Sequence, residues 1–187
     1  GRLLSLEMRD PTLLLEALQE SALSRWVRRG AVEVHWYCDN ASQQLLESLL
    51  GRYSDEVRTC QHFHAMVPYA EVPKLLAQAD ILLLLGRREQ PEGPHGMVTT
   101  KLFEAMAMHR PILMVESDES VVAQILRAHA GSLAATDVAQ VVQFVAHHLE
   151  RLERGEVLPV DTFTDHYQQY TRAAMAEAFA QLFGTLV

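Results

Sequence analysis

Apolar residues recur along the chain in two alternating patterns, one with the spacing of an amphipathic helix and one with the continuity of a strand. The first helical pattern covers residues 11–29 and ends at Gly30, and a strand pattern follows at 32–37. The same alternation continues to the end of the sequence. We predict further strands at 57–63, 81–85, 112–115 and 131–135, and helices at 41–53, 70–79, from Thr100, and at 121–129, 138–154 and 163–183. This order predicts an α/β fold.

The run Ile81-Leu82-Leu83-Leu84-Leu85 is apolar at every position, which is typical of a strand covered on both faces. We therefore predict a central strand in an open parallel sheet with helices on both faces. Asp39 and Asp137 precede helical patterns and are predicted to cap them. Residues 1–154 then form one domain, and residues 155–187 a linker with a C-terminal helix that packs on this domain or on a missing one.

Composition narrows the function classes. The chain has 187 residues with a net charge of -8, and it lacks the basic stripe of a general nucleic-acid binder. None of its apolar runs is long enough to span a membrane. Cys38 and Cys60 have no metal-ligand spacing around them, so we expect buried reduced thiols and a cytosolic compartment. Without an initiator Met, the sequence is expected to be part of a longer protein.

The nine histidines do not predict a metal site, because no pair has helical ligand spacing with a third partner. His62 and His64 should share one face of a strand, and the pair His147-His148 is expected to be solvated. The chain has no Walker or dinucleotide glycine fingerprint and no nucleophile elbow. We therefore expect no cofactor, no NAD or ATP site of the usual kinds, and no hydrolytic triad.

The stretch from Thr99 to Ala107 carries the most informative polar residues. It follows a long Gly- and Pro-containing loop after the predicted strand 81–85, and such loops are usually functional or mobile. In a helix that starts at Thr100, Lys101 and Glu104 lie on one face. A cation in the first turn opposes the helix dipole unless an anion also binds there, which favours a phosphate site. A surface ion pair between the two side chains is the alternative.

Several motifs occur together in one order: Val67-Pro68-Tyr69 with Glu71-Val72, then Ala79-Asp80-Ile81, then Lys101-Leu102-Phe103-Glu104, then Arg110-Pro111. From about Val32 to Leu152 this combination resembles the carboxy-terminal half of a GT-B glycosyltransferase of the retaining group 1, or family 4, type. The resemblance implies a Rossmann-like domain that binds a nucleoside diphosphate sugar of the UDP or GDP type. It also implies that the acceptor is held by a missing N-terminal domain.

The same resemblance assigns the site residues. Glu104 would bind the two ribose hydroxyls, and Thr99, Thr100 and Lys101 would lie at the diphosphate. Val67 and its backbone would meet the base. Gly96 stands eight residues before Glu104, where the family commonly has a second Glu at the donor. Segments 1–3 and 9–11 resemble the family's glycine loop. This fragment alone is expected to be inactive. The full-length enzyme would be cytoplasmic, and peripheral association with a membrane is compatible with this interpretation.

Two other functions remain open from the sequence. A UDP-sugar epimerase also closes two Rossmann-like halves over a nucleotide, and it would convert a free sugar nucleotide without an acceptor. A non-catalytic α/β interaction module would use the C-terminal helix to bind a protein and would ignore nucleotides.

Overall fold

The computed structural model describes residues 2–3, 5–6, 8–86, 98–115, 121–129, 131–156 and 165–185. Within these ranges the strands are β1 Val34–Tyr37, β2 Gln61–His64, β3 Leu82–Leu85, β4 Ile112–Val115 and β5 Leu133–Ala135. The helices are α1 Thr12–Gln19, α2 Ser21–Arg28, α3 Asn40–Leu50, α4 Asp55–Thr59, α5 Val72–Leu76, α6 Thr100–Met106, α7 Val121–Arg127, α8 Val138–Glu153 and α9 Arg172–Gly184. Two 3-10 helices, Tyr69–Glu71 and Asp165–Tyr170, complete the list.

The strands pair in parallel, as the alternating pattern predicts. β1 pairs with β2, and β3, β4 and β5 form a second group in that order. β4 is the strand with partners on both sides and with every residue buried. The prediction that 81–85 is central is therefore wrong among the described strands, since β3 pairs there with β4 alone. Its continuous leucines reflect burial on two faces: Leu83 and Leu85 pack on one apolar cluster, Leu84 on the other.

Helices cover both faces of the sheet, which confirms the predicted architecture. Alternate residues of β4 point to opposite sides, so Leu113 and Val115 pack with buried residues of α1, α2 and α8. Ile112 and Met114 pack on the other side with buried residues of α6 and α7. The second cluster fixes α6, the helix that carries the predicted site.

Two predicted elements were wrong in type or extent. The helix at 11–29 is two helices, because Glu20 is extended with ψ of 140°. The five-residue gap between Leu18 and Leu23 would turn them to different sides of one helix, and the break lets both be buried. The strand at 57–63 begins only at Gln61, since Ser54 caps α4 by accepting a hydrogen bond from the Val57 amide at 3.4 Å.

The remaining boundaries follow the predicted signals more closely. The Asp39 and Asp137 carboxylates accept hydrogen bonds from the amides of Ser42 and Gln140 at 3.0 and 2.9 Å, which confirms both predicted caps. Gly30 has a φ of +66°, the left-handed conformation expected just after a helix. The predicted helix at 70–79 is shorter, a 3-10 turn followed by α5.

The C-terminal helix is confirmed as α9, but it begins only after the 3-10 helix, with Thr171 as its cap. None of its described residues is buried. Large apolar side chains on it are exposed, namely Met175, Phe179, Leu182 and Phe183. Of the predicted linker, Gly155 and Glu156 are described, and 157–161 lie outside the described residues. The division at residue 154 stays a prediction.

Candidate functional site

α6 connects the parallel strands β3 and β4, so its amino end is on the side of the sheet where the strands end. Lys101 and Glu104 are not among its buried residues. Leu102, Ala105 and Met106 are buried against the second cluster, with Leu102 and Met106 each 1% exposed. Lys101, Phe103 and Glu104 are each half-buried, and of the three Phe103 also packs against the second cluster. This packing is what holds the candidate site in place.

Thr99 and Thr100 are both exposed at the amino end of α6. Thr99 occupies the cap position with extended backbone, but its side chain makes no capping hydrogen bond. Its hydroxyl is therefore not used to close the helix. The predicted Gly96, like the rest of 87–97, lies outside the described residues.

Lys101 is half-buried, and this burial lowers the pKa of its ammonium group. The nearby Arg9 guanidinium lowers the pKa further, and the Glu104 carboxylate acts in the opposite direction. The ion pairs among the described residues do not include one between Lys101 and Glu104, so the alternative of a surface ion pair stays a prediction. The Arg9 cation and the Glu104 carboxylate thus both act on the charge of Lys101.

Arg9 is a candidate site residue that sequence reasoning did not include. It comes from the segment before α1, where its amide donates to the Ser5 carbonyl at 3.1 Å and its guanidinium donates to the Arg2 carbonyl. Asp10 secures the following turn by accepting from the Thr12 amide at 2.9 Å. The resemblance of 9–11 to a glycine loop was the available signal, but it did not pair Arg9 with Lys101.

Glu104 is half-buried and accepts a hydrogen bond at Oε1 from the hydroxyl of Tyr69, at 3.2 Å. Tyr69 was part of a recognised motif but not of the predicted site. This contact links α6 to the segment after β2, which contains the half-buried Val67. The fold therefore brings two stretches of the predicted site together, although they lie far apart in sequence.

A shallow depression lies at the carboxyl ends of β1 and β2, lined by Cys38, Asp39, Asn40, Ala41, Ala65 and Met66. Hydrogen bonds from Ser42 lower the pKa of Asp39, and so does the Arg2 guanidinium, whose Nε lies 3.2 Å from the carboxylate. Because Asp39 is engaged as the cap of α3, its carboxylate serves the fold. The better candidate for chemistry remains the start of α6.

The described residues contain no group of three His, Cys, Asp or Glu side chains arranged to hold a metal ion. His62 and His64 do share a face of β2, where His35 from β1 joins them through ring contacts at 5.0 and 5.2 Å. The expectation for His148 was wrong, because it is 3% exposed and its Nδ1 donates to the Phe144 carbonyl at 2.8 Å. His147 is exposed, as expected.

Both cysteines are buried free thiols, which confirms that prediction. Burial raises the pKa of Cys60 and of Cys38, so both thiols stay protonated at neutral pH. Within the described ranges, none of the helices combines the length and apolarity that a membrane crossing requires.

These features define an α/β unit whose described strands pair in parallel, in one group of two and one of three, with helices packed on them. The sequence matches the family model described as glycosyl transferases group 1 over residues 1–151, and the chain belongs to that family. A comparison with curated proteins finds no match. Among solved structures, the crystal structure of Alr3699/HepE from Anabaena in complex with UDP is similar, with a TM-score of 0.65 at 12% identity.

That similarity covers 99% of this chain and 48% of the Anabaena chain, so the present chain spans about half of its relative's length. The likeness confirms the predicted fold class, an α/β fold of parallel strands flanked by helices that is similar to one half of a GT-B glycosyltransferase. The roles of Glu104, Lys101, Thr100, Thr99 and Val67 stay predictions.

Proposed function

We propose that this chain is the donor-binding half of a retaining glycosyltransferase and that it binds a nucleoside diphosphate sugar at the start of α6. The observation that carries the proposal is the grouping of Glu104, Lys101 and Arg9 beyond the end of β3. In open α/β sheets, ligands bind outside the carboxyl ends of the strands, which is where this group lies. UDP in the similar Anabaena structure supports a nucleotide of the UDP type.

The cations suit the diphosphate. The Arg9 guanidinium disfavours the charged form of Lys101, and a bound anion would relieve that repulsion. The exposed hydroxyls of Thr99 and Thr100 can donate to the same phosphates. As the glycosidic bond to the diphosphate breaks, negative charge grows on the leaving oxygen, and the two cations would stabilise it.

The carboxylate suits the ribose. An ionised carboxylate is an acceptor with two oxygens, and a ribose offers two adjacent hydroxyl donors. The base would then extend toward Val67, whose segment is tied to Glu104 through Tyr69. Gly96 would lie on the sugar side, by the family resemblance alone.

The acceptor would be held by a partner half outside this chain, so we expect this fragment to bind the donor without transferring its sugar. The exposed apolar side of α9 fits contact with such a half, since Met175, Phe179, Leu182 and Phe183 follow helical spacing. Two buried thiols fit a reducing compartment, and we place the enzyme in the cytoplasm.

Titration of UDP, GDP and ADP onto the chain by calorimetry tests the proposal. Replacing Glu104 by Ala removes hydrogen bonds to a charged group and should weaken the preferred nucleotide by about 1.5 to 3 kcal/mol, roughly ten- to a hundredfold. Glu177→Ala is the matched control, because Glu177 is an exposed carboxylate on α9. A folded sample that binds none of the three nucleotides would refute the proposal.

A further inference from the structure

Tyr69 is a large aromatic residue that lies on the surface instead of in the core. It is 75% exposed, so its ring contributes little to the core. It opens the 3-10 helix Tyr69–Glu71, which is closed by a hydrogen bond from the Glu71 amide to the Pro68 carbonyl at 2.9 Å. Its hydroxyl nevertheless meets Glu104, on another element, at 3.2 Å.

We propose that Tyr69 is a positioning residue for Glu104, and that through this contact it sets the recognition of the ribose diol. The inference rests on the proposed function, because Tyr69 can position Glu104 for a ribose only if Glu104 binds one. Tyr69 itself would not need to touch the nucleotide.

The geometry of the acceptor explains how this would work. The Tyr69 hydroxyl donates to Oε1, which has a second lone pair, while Oε2 keeps both of its own. At least one acceptor position on each oxygen therefore remains for the two ribose hydroxyls. The Tyr69 phenol would fix the orientation of the carboxylate and would leave acceptor positions free for the hydroxyl donors of the ligand.

The energetic reason lies in side-chain order. A Glu side chain has several rotatable bonds, and fixing them on binding costs conformational entropy. The helix of Glu104 is anchored by the buried Leu102 and Met106, but Glu104 itself is only half-buried and its hydrogen bond from Tyr69 is exposed to solvent. A hydrogen bond from Tyr69 would restrict the carboxylate before the ligand arrives, so less entropy would be lost on binding.

Tyr69→Phe removes the hydroxyl and keeps the ring, so it isolates this effect. We would measure the affinity of the wild-type chain and of the variant for UDP and for 2',3'-dideoxy-UDP, which lacks both ribose hydroxyls. One neutral hydrogen bond predicts a loss of roughly two- to tenfold for UDP. The affinity for the dideoxy nucleotide should not change, and neither should the melting temperature.

The same substitution in a Glu104→Ala background completes the cycle. There Tyr69→Phe should have no further effect on UDP, because the group it positions is gone. Equal losses for UDP and for the dideoxy nucleotide would overturn the inference and assign the effect to the ring or the base. If Glu104→Ala weakens UDP but Tyr69→Phe does not, the inference fails while the proposed function stands. If the wild-type chain binds no nucleotide, both fail.

Discussion

The Arg9 guanidinium lies close enough to the Lys101 ammonium to help burial lower the pKa of that lysine. The two groups come from opposite parts of the chain, one from the segment before α1 and one from the first turn of α6. Like charges brought together in a partly buried place are unfavourable without an anion. A bound anion would remove this cost, as the proposed diphosphate site requires.

Removing either cation should weaken nucleotide binding in a way that depends on the phosphates. We expect Lys101→Ala and Arg9→Ala each to weaken UDP by about ten- to a hundredfold, the value of a charge-assisted hydrogen bond. Uridine, which carries no phosphate, should bind the variants and the wild type alike. Lys74→Ala is the matched control, since Lys74 is exposed and is the chain's other lysine. Equal losses for UDP and uridine would speak against a diphosphate role.

The lowered pKa of Lys101 predicts an alkaline limit to UDP binding. Its ammonium loses the proton at a lower pH than an ordinary lysine, so the affinity for UDP should fall as pH rises through that range. Arginine stays charged throughout, and Lys101→Arg should flatten the fall. Calorimetric titrations of both proteins between about pH 7 and pH 10 make the comparison. Parallel curves would show that Lys101 is not the titrating group.

Local signals were enough to predict much of the fold. The leucine run of β3 and the Ile-Leu-Met-Val run of β4 both carry the signature of parallel strands buried on two faces. The helix starts after Asp39 and Asp137 could be predicted because a capping side chain accepts a hydrogen bond from an amide only three residues further along. The spacing between Leu18 and Leu23 was a signal for the break at Glu20. It was not sufficient, because the break follows only if both leucines face the core, and tertiary packing decides that.

The candidate site could be predicted only in part. Lys101 and Glu104 share one helix face, so their relationship follows from helical geometry. Arg9 and Tyr69 join them through tertiary structure, and no local pattern fixes how near they come. His148 is different, because Val141 and Val145 lie seven and three residues before it and are buried on the same side of α8. That spacing was a signal in the sequence for a buried histidine.

Two substitutions within one turn of α6 should affect different properties, one the stability of the fold and the other the binding of the nucleotide. Leu102 is 1% exposed, so Leu102→Ala should lower the free energy of unfolding by about 2 to 5 kcal/mol. Glu104→Ala should change that free energy little while weakening UDP. Urea denaturation beside nucleotide titration measures both. Loss of stability in Glu104→Ala comparable to that of Leu102→Ala would mean that Glu104 supports the fold instead of a ligand.

His148 should make the stability of this domain depend on pH in the acid range. Burial lowers the pKa of its imidazole below the usual 6.5, although the hydrogen bond to the Phe144 carbonyl acts in the other direction. At a pH between the two pKa values, the unfolded chain binds a proton that the folded chain does not. The stability due to the neutral buried ring is therefore present above about pH 6.5 and is lost as pH falls below that value, by at most about 1.4 kcal/mol per pH unit.

His148→Gln keeps a side-chain donor but cannot be protonated, so its free energy of unfolding should fall less steeply than that of the wild type between about pH 6.5 and pH 5. His147→Gln is the matched control, because His147 is the adjacent residue of α8 and is exposed. Its curve should run parallel to that of the wild type. Urea denaturation at each pH gives the free energies. If the two variants respond to pH in the same way, burial of His148 is not what couples proton uptake to unfolding.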